Sequence, residues 1–337
     1  MNPIRRRSLI FAAALTLTSI ALAGCNPSSD AGKSGPSGTA SAPTDKPTKL
    51  ILGFVPSVEA DKAVANAKPL ADYLTKELGI PVESFVSTDY VGLIEAMASK
   101  KVDIGSLPTL GYVLAKDKSA ADVILKTARE IPATKEVKTT YHSMFITRAD
   151  SGIKSIEEAK GKRMAFVDPQ SASGNLFPRY YLKKKNIDAD SFFAQTTFAG
   201  GHDSAVRAVY NGQVDVAAVY DDARNKVEKT LPDVKTKVIK IGETDEIPND
   251  TISVRAGLDP ELVQKIKAAF LKYAESEEGK KTLKAIYEVE GFAEAKDGDY
   301  DVVRDVAKAL NVPLDNYMPK PKAPAAAPAA PAGAPKK

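Results

Sequence analysis

The chain has 337 residues, with 47 Lys and Arg against 43 Asp and Glu for a formal net charge of +4, so it is long enough for two folded lobes and carries no global basic field. Recognition of nucleic acid, which relies on Lys and Arg stripes that neutralise phosphates, is thereby disfavoured, and setting aside Arg5–Arg7 and the four lysines near the C-terminus leaves a slightly acidic body. A single cysteine, Cys25, excludes a disulfide within the chain, and two histidines, His142 and His202, leave metal catalysis little to work with, so no metal and no cofactor are expected.

Residues 1–24 combine three arginines with an apolar run from Leu9 to Ala23 and then small residues, the pattern of a secretory signal and too short for a membrane span. The sequence L-A-G-C at 22–25 resembles a bacterial lipobox, in which Cys25 becomes the acylated first residue; the chain is then expected in the cell envelope, lipid-anchored and facing the periplasm or exterior. Residues 26–48 are rich in Ser, Gly, Pro and Thr and read as a flexible tether with a typical span of roughly 25 Å.

The body, 49–316, alternates strand and helix signals as an α/β fold does. KLILGFVP (49–56) reads as a strand and PLADYLTKELG (69–79) as an amphipathic helix ending at glycine. PVESFVST (81–88) is a strand, followed by a helix over YVGLIEAMASK with Thr88 or Asp89 as its cap. VDIGSLP, DVILKTARE and YHSMFITRAD are read as strands in succession. A second series follows: SIEEAKG helix, KRMAFVD strand, NLFPRYYLKKKN helix, FFAQTTFAG strand, HDSAVRAVYNGQ helix, then VDVAAVYD and KTKVIKIG strands. After DEIPND come the strand TISVRAG, a long helix over DPELVQKIKAAFLKYAESEEG, and closing helices. Two such series with a late return predict two lobes, 49–143 with 251–316 and 144–250, joined by a two-strand hinge with crossings near 141–148 and 246–253 and a ligand cleft between them. Residues 317–337 form a Pro/Ala-rich tail expected to be disordered. IEAMASKKVDIGSLP and VRAVYNGQVDVAAVYD share a pattern of helix, polar turn, V-D and apolar strand, which supports two similar lobes.

The stretch AFVDPQSASGNLFP (165–178) runs a strand into two serines and a glycine at a helix start. Unpaired amides and the positive end of the helix dipole there suit an anion without any cationic side chain; Ser171 and Ser173 add hydroxyl donors, and Gly174 is expected to let an oxyanion approach the backbone. Simple capping by serine is the other reading of the same residues.

The ordered set T-D-Y-V-G-L-I-E (88–95), D-P-Q-S-A-S-G-N-L-F-P (168–178), A-G-G-H-D-S-A-V (199–206), Q-V-D-V-A (213–217) and I-P-N-D (247–250) resembles the periplasmic substrate-binding proteins of phosphonate, phosphite and phosphate ABC importers, over essentially the whole body. The resemblance implies a two-lobed, type II periplasmic-binding-protein fold that closes on its ligand. It also implies the site: Tyr90 and Tyr141 as hydroxyl donors, Ser171, Ser173 and the Ala172 amide as the anion cradle, His202 as a further donor, and Asp222 and Asp250 as carboxylates at the ligand's other end. Ala172 stands where the family usually has threonine, so only its amide serves; Asp221 and Asp222 are adjacent, which leaves open which of them faces inward; Thr109 is a further contributor to consider. The implied partners are a small phosphorus oxyanion and an inner-membrane ABC permease, with a monomer expected.

Two other functions fit parts of this pattern. A ligand-sensing module for a membrane receptor has the same sequence features as a transport component. A phosphoester or phosphonate hydrolase would use Ser171, His202 and an Asp as a triad, but the chain has no G-x-S-x-G elbow, no P-loop and no H-E-x-x-H, so no enzyme is expected. No Lys or Arg enters this reading of the site.

Overall fold

A computed structural model describes residues 44–314, apart from 57–59, 119, 132–133 and 312. The signal segment, Cys25, most of the tether and the tail 317–337 lie outside the described residues.

The chain begins with β1 (Leu50–Phe54), α1 (Ala60–Leu78), β2 (Val82–Val86), α2 (Tyr90–Ala98), β3 (Ile104–Leu107), α3 (Thr109–Asp117), β4 (Ala121–Glu130) and the short β5 (Val137–Lys138). It crosses through β6 (Thr140–Tyr141) into β7 (Ser143–Arg148) and β8 (Arg163–Phe166). A π-turn over Ala172–Leu176 leads into α4 (Phe177–Lys184), then α5 (Ala189–Phe192), β9 (Gln195–Phe198), α6 (His202–Tyr210), β10 (Val216–Tyr220), α7 (Val234–Lys237) and β11 (Val238–Glu243). It returns through β12 (Ile247–Pro248) to β13 (Thr251–Arg255), α8 (Pro260–Glu275), α9 (Glu277–Tyr287), β14 (Val289–Glu294) and α10 (Asp301–Ala309).

These strands form two mixed sheets. The first runs β14-β4-β13-β3-β1-β2, with β5 added on β4; the second runs β11-β7-β10-β8-β9. β1 lies parallel between β2 and β3, and β8 parallel between β9 and β10, so in each sheet the strand-helix-strand units carry their loops to one edge. The crossings β6 and β12 pair antiparallel, Tyr141 opposite Ile247, and make a two-strand connection between the sheets. Central strands β10 and β13 are buried at every position; β10 accordingly reads as an apolar run, while β13 buries Thr251, Ser253 and Arg255 as well. One apolar cluster fills the first sheet's other face from Leu50 and Leu52 to Phe270 and Tyr273, a second packs Phe145, Phe166 and Phe193, and a third runs from Leu93 through Tyr141 to Val206 and Val219. Gly53 lets α2 lie close on the first sheet, since a Cβ there would sit 2.4 Å from Leu93 Cδ1.

The elements depart from the sequence reading in four places. α1 begins at Ala60 and holds Pro69 within it, whereas proline was taken as the helix start. α3 was not foreseen: Thr109 to Ala115 are all buried, so no polar face marks a helical period. SIEEAKG contributes only the 3-10 turn Glu157–Ala159. β14 is an edge strand where closing helices were expected.

Candidate functional site

The loop edges of the two sheets and the crossing strands enclose a cavity whose room for the centre of a water-sized sphere is about 30 Å³. One water takes roughly 10–15 Å³ on that measure, so the space suits a few water-sized groups, the scale of a small tetrahedral anion.

The second sheet supplies one wall. After β8 the backbone turns at Pro169 and Ser171 caps the π-turn, its Oγ accepting from Gly174 N at 2.9 Å while its own amide donates to the Asp168 carbonyl. Capping uses a lone pair and leaves the Ser171 hydroxyl proton to donate, so the cap and the anion cradle are compatible roles for one side chain. The amides of Ala172 and Ser173 donate to no backbone carbonyl among the described residues, and Ser171, Ala172 and Ser173 all line the cavity. Buried Ser143 locks this turn in place by donating from Oγ to the Ser173 carbonyl at 2.5 Å, with the Val219 carbonyl at 3.2 Å. Gly174 serves packing, contrary to expectation: a Cβ there would meet Val167 Cβ at 2.4 Å and Ser171 Oγ at 2.8 Å, and the residue is not part of the lining. The glycine lets the turn fold back on β8.

His202 opens α6 on the same wall. Its Nδ1 accepts from Tyr220 N at 3.3 Å, so Nε2 carries the proton. Burial, reinforced by the nearby Arg129 cation, pulls its pKa down to about 3, which makes it a neutral donor. This geometry also removes the triad reading, because a catalytic histidine would donate from Nδ1 to a carboxylate and here that atom accepts a backbone N–H.

From the first sheet, Tyr90 begins α2 beneath Asp89, whose carboxylate accepts from Gly92 N at 2.7 Å; of the two candidate caps, Asp89 is the one used. Tyr141, on β6, lines the cavity, and burial beside Asp250 raises its pKa so that the phenol stays protonated.

The return crossing explains I-P-N-D. The Pro248 carbonyl accepts from Thr109 Oγ1 at 2.6 Å. Asn249, fully buried, donates from Nδ2 to the carbonyls of Thr127 and Lys138, both at 3.0 Å, and clamps the crossing strand. Asp250 then lines the cavity near Thr109 at the start of α3. Burial raises its pKa, with Arg129 and Thr109 pulling the other way. Thr109 therefore acts on Asp250 and is not itself part of the lining.

Asp222 does not join this group. Arg224 donates to both of its oxygens, Nε at 2.8 Å and Nη2 at 2.7 Å, and Asp222 caps the 3-10 turn Ala223–Lys226. Asp221 accepts from His142 N at 3.3 Å, and burial pushes its carboxyl up to about 6, but it is not in the cavity lining either. The last residue of β10 to line the cavity is Tyr220.

The residue missed is Arg129. It lies near the end of β4, after Lys126, Thr127 and Ala128, and lines the cavity with its guanidinium carbon 4.7 Å from the Tyr220 ring centroid and 5.9 Å from that of Tyr141. Its Nη2 lies 3.5 Å from Glu288 Oε2. Burial works against its charge, but Tyr220, Glu288 and Asp250 offset that and raise its pKa. Nothing in the local pattern sets it apart, since β4 also carries Lys126 and mixes buried with half-buried positions. Ser106, Pro108 and Val55 complete the lining.

The family model for the periplasmic substrate-binding protein of phosphonate ABC transporters matches residues 52–300, well over half of the chain. The chain belongs to this family. A phosphonates-binding periplasmic protein of Escherichia coli is 32% identical over 241 residues, 70% of each chain. A phosphate-import protein of Mycolicibacterium smegmatis is 28% identical over 77% of this chain and 85% of its own. Among solved structures, a binding-protein component of an ABC phosphonate transporter from Pseudomonas aeruginosa superposes with a TM-score of 0.70 at 28% identity, covering 78% of this chain and 86% of that one. A Prochlorococcus marinus protein in complex with methylphosphonate gives the same TM-score of 0.70 at 19% identity over 79% of this chain and 99% of the other, a likeness of fold. The architecture is thus the two-lobed type II fold of the family, whose members are extracytoplasmic substrate-binding components that work with a small-molecule ligand and an ABC permease.

Proposed function

We propose that the chain captures a small phosphorus oxyanion, a phosphonate, phosphite or phosphate, between its lobes and delivers it to an ABC permease while anchored through a lipid on Cys25. The observation that carries this reading is the shared cavity: from one lobe the hydroxyls and amides of Ser171–Ser173 and the neutral His202, from the other Tyr90 and Arg129, with Tyr141 and Asp250 from the crossing strands. Donors in this number suit the oxygens of an anion. The single carboxylate, Asp250, suits a ligand that brings a proton, because an acceptor beside a fully ionised oxyanion is repulsive. Closure buries the ligand where charge-assisted hydrogen bonds are strongest. Relatives named for phosphate and for phosphonates share the family, so the ligand is chosen by details of the cavity and not by the fold.

Calorimetric titration of the mature chain with phosphate, phosphite, methylphosphonate and sulfate tests the reading. At least one phosphorus compound should bind and sulfate should bind far more weakly; equal or preferred sulfate binding, or no binding of any phosphorus compound, contradicts it. For the anchor, Cys25→Ser should release the protein from membranes or stall its processing, and unchanged fractionation would refute lipidation.

A further inference from the structure

We propose that Arg129, packed on Tyr220, sets the ligand class of the cavity: it admits compact phosphorus oxyanions and excludes those that carry an aminoalkyl arm. The inference rests on the reading of the cavity as a phosphorus-oxyanion site and goes one step further, to the substituent on phosphorus.

Three observations carry it. First, the cradle of Ser171–Ser173 and His202 takes oxygens, and the wall that remains for a substituent is Tyr141, Tyr220, Asp250 and the Arg129 guanidinium. An ammonium placed there meets a cation, and the one carboxylate of the lining, Asp250, already faces the Arg129 guanidinium. Second, the room of about 30 Å³ leaves little beyond the anion itself.

Third, Arg129 is a partition. Behind it lies a more open space of about 110 Å³ on the same measure, lined by Glu130, Lys135, Asp221, Lys284, Glu288 and Glu290, and among the described residues Arg129 alone lines both spaces. Glu130 and Glu290 are paired there with Lys135 at 3.0 Å and Lys284 at 2.8 Å, whereas Glu288 has only the longer contacts of Arg129 Nη2 at 3.5 Å and Lys226 Nζ at 4.0 Å, so Asp221 and Glu288 are the acids that an ammonium would seek. Reaching them from the cavity requires the guanidinium to leave. Tyr220 backs it from the second lobe and Glu288 holds it from the first, so in the closed protein it stays between the anion and those acids.

The test is calorimetry of the mature protein, Arg129→Ala and Arg129→Lys with phosphate, phosphite, methylphosphonate and 2-aminoethylphosphonate at one pH and salt concentration. The parent should bind at least one of the first three about tenfold or more tighter than 2-aminoethylphosphonate. Arg129→Ala should lose about tenfold on that compact ligand and close or invert the gap, since the anion loses a cation and the arm gains a path to Asp221 and Glu288. Arg129→Lys should keep the parent's order of preference, and it decides the matter if the alanine variant fails to fold. The proposal is overturned if the parent prefers 2-aminoethylphosphonate, if Arg129→Ala weakens all four alike, or if Arg129→Lys loses the preference. Absence of binding by every phosphorus compound would instead overturn the oxyanion reading beneath it, a result that no failure of selectivity can imitate.

Discussion

The two lobes build their halves of the site from the same unit, and the units differ in burial. In one, α2 begins with Tyr90 at the cavity and leads through Val102-Asp103 to β3, which brings Ser106 to the cavity; in the other, α6 begins with His202 and leads through Val214-Asp215 to β10, which brings Tyr220 to it. Each aspartate pins the neighbouring parallel strand. Asp103 accepts from Ile51 N on β1 and from Arg255 Nε, both at 2.8 Å; Asp215 accepts from Arg163 N on β8 and from Arg163 Nη2, both at 2.8 Å. The Asp103–Arg255 pair is 7% and 3% exposed, whereas Asp215 and Arg163 are 29% and 44% exposed. One device thus serves as a buried keystone in the first lobe and as a surface clasp in the second.

That contrast is broken or sharpened most strongly by Asp103→Ala, which takes the Nε partner from buried Arg255, leaves it the part-exposed Asp45 at 2.8 Å from Nη2, and should cost about 3 kcal/mol in urea denaturation. Ser171→Ala removes a donor to a charged oxygen and should weaken ligand binding by roughly 1.5–3 kcal/mol, about tenfold or more. A loss of stability with unchanged affinity would make Ser171 a cap and nothing else. His202 has a folded pKa of about 3, below the roughly 6.5 of an unfolded histidine, so the stability it contributes is complete above that value and falls as pH drops toward 3. Between pH 7 and 4.5 the parent should therefore lose about 2–2.5 kcal/mol more than His202→Gln, a comparison that cancels the opposite contribution of Asp221, whose carboxyl, raised to about 6, loses stability as pH rises. Equal pH profiles would place a charged histidine in the fold. Asp215→Ala should cost about 1 kcal/mol or less. A cost equal to that of Asp103→Ala would show that burial does not separate the two pairs.

The V-D repeat was legible as a pattern because both lobes need the same strand pinned, although its partners, Arg255 and Arg163, are set by tertiary contact. The cradle and I-P-N-D were legible for a similar reason: serine at a helix start and a crossing strand clamped by asparagine are local solutions to backbone hydrogen bonding. α3 was hidden by its burial, and Asp222 was misplaced because Arg224, two residues on, turns it away from the cavity. Arg129 was invisible as a site residue since nothing local distinguishes it from a strand-end arginine; only the fold brings Tyr220 beneath it.

The central claim, that this cavity reads a phosphorus oxyanion by its proton, is tested most directly by titrating Asp250→Asn with the ligand the parent prefers and with sulfate. The loss should be at least about tenfold for the phosphorus ligand, the scale of a charge-assisted hydrogen bond, with a narrowed gap to sulfate. Unchanged affinity for both anions would contradict the claim and remove Asp250 from recognition.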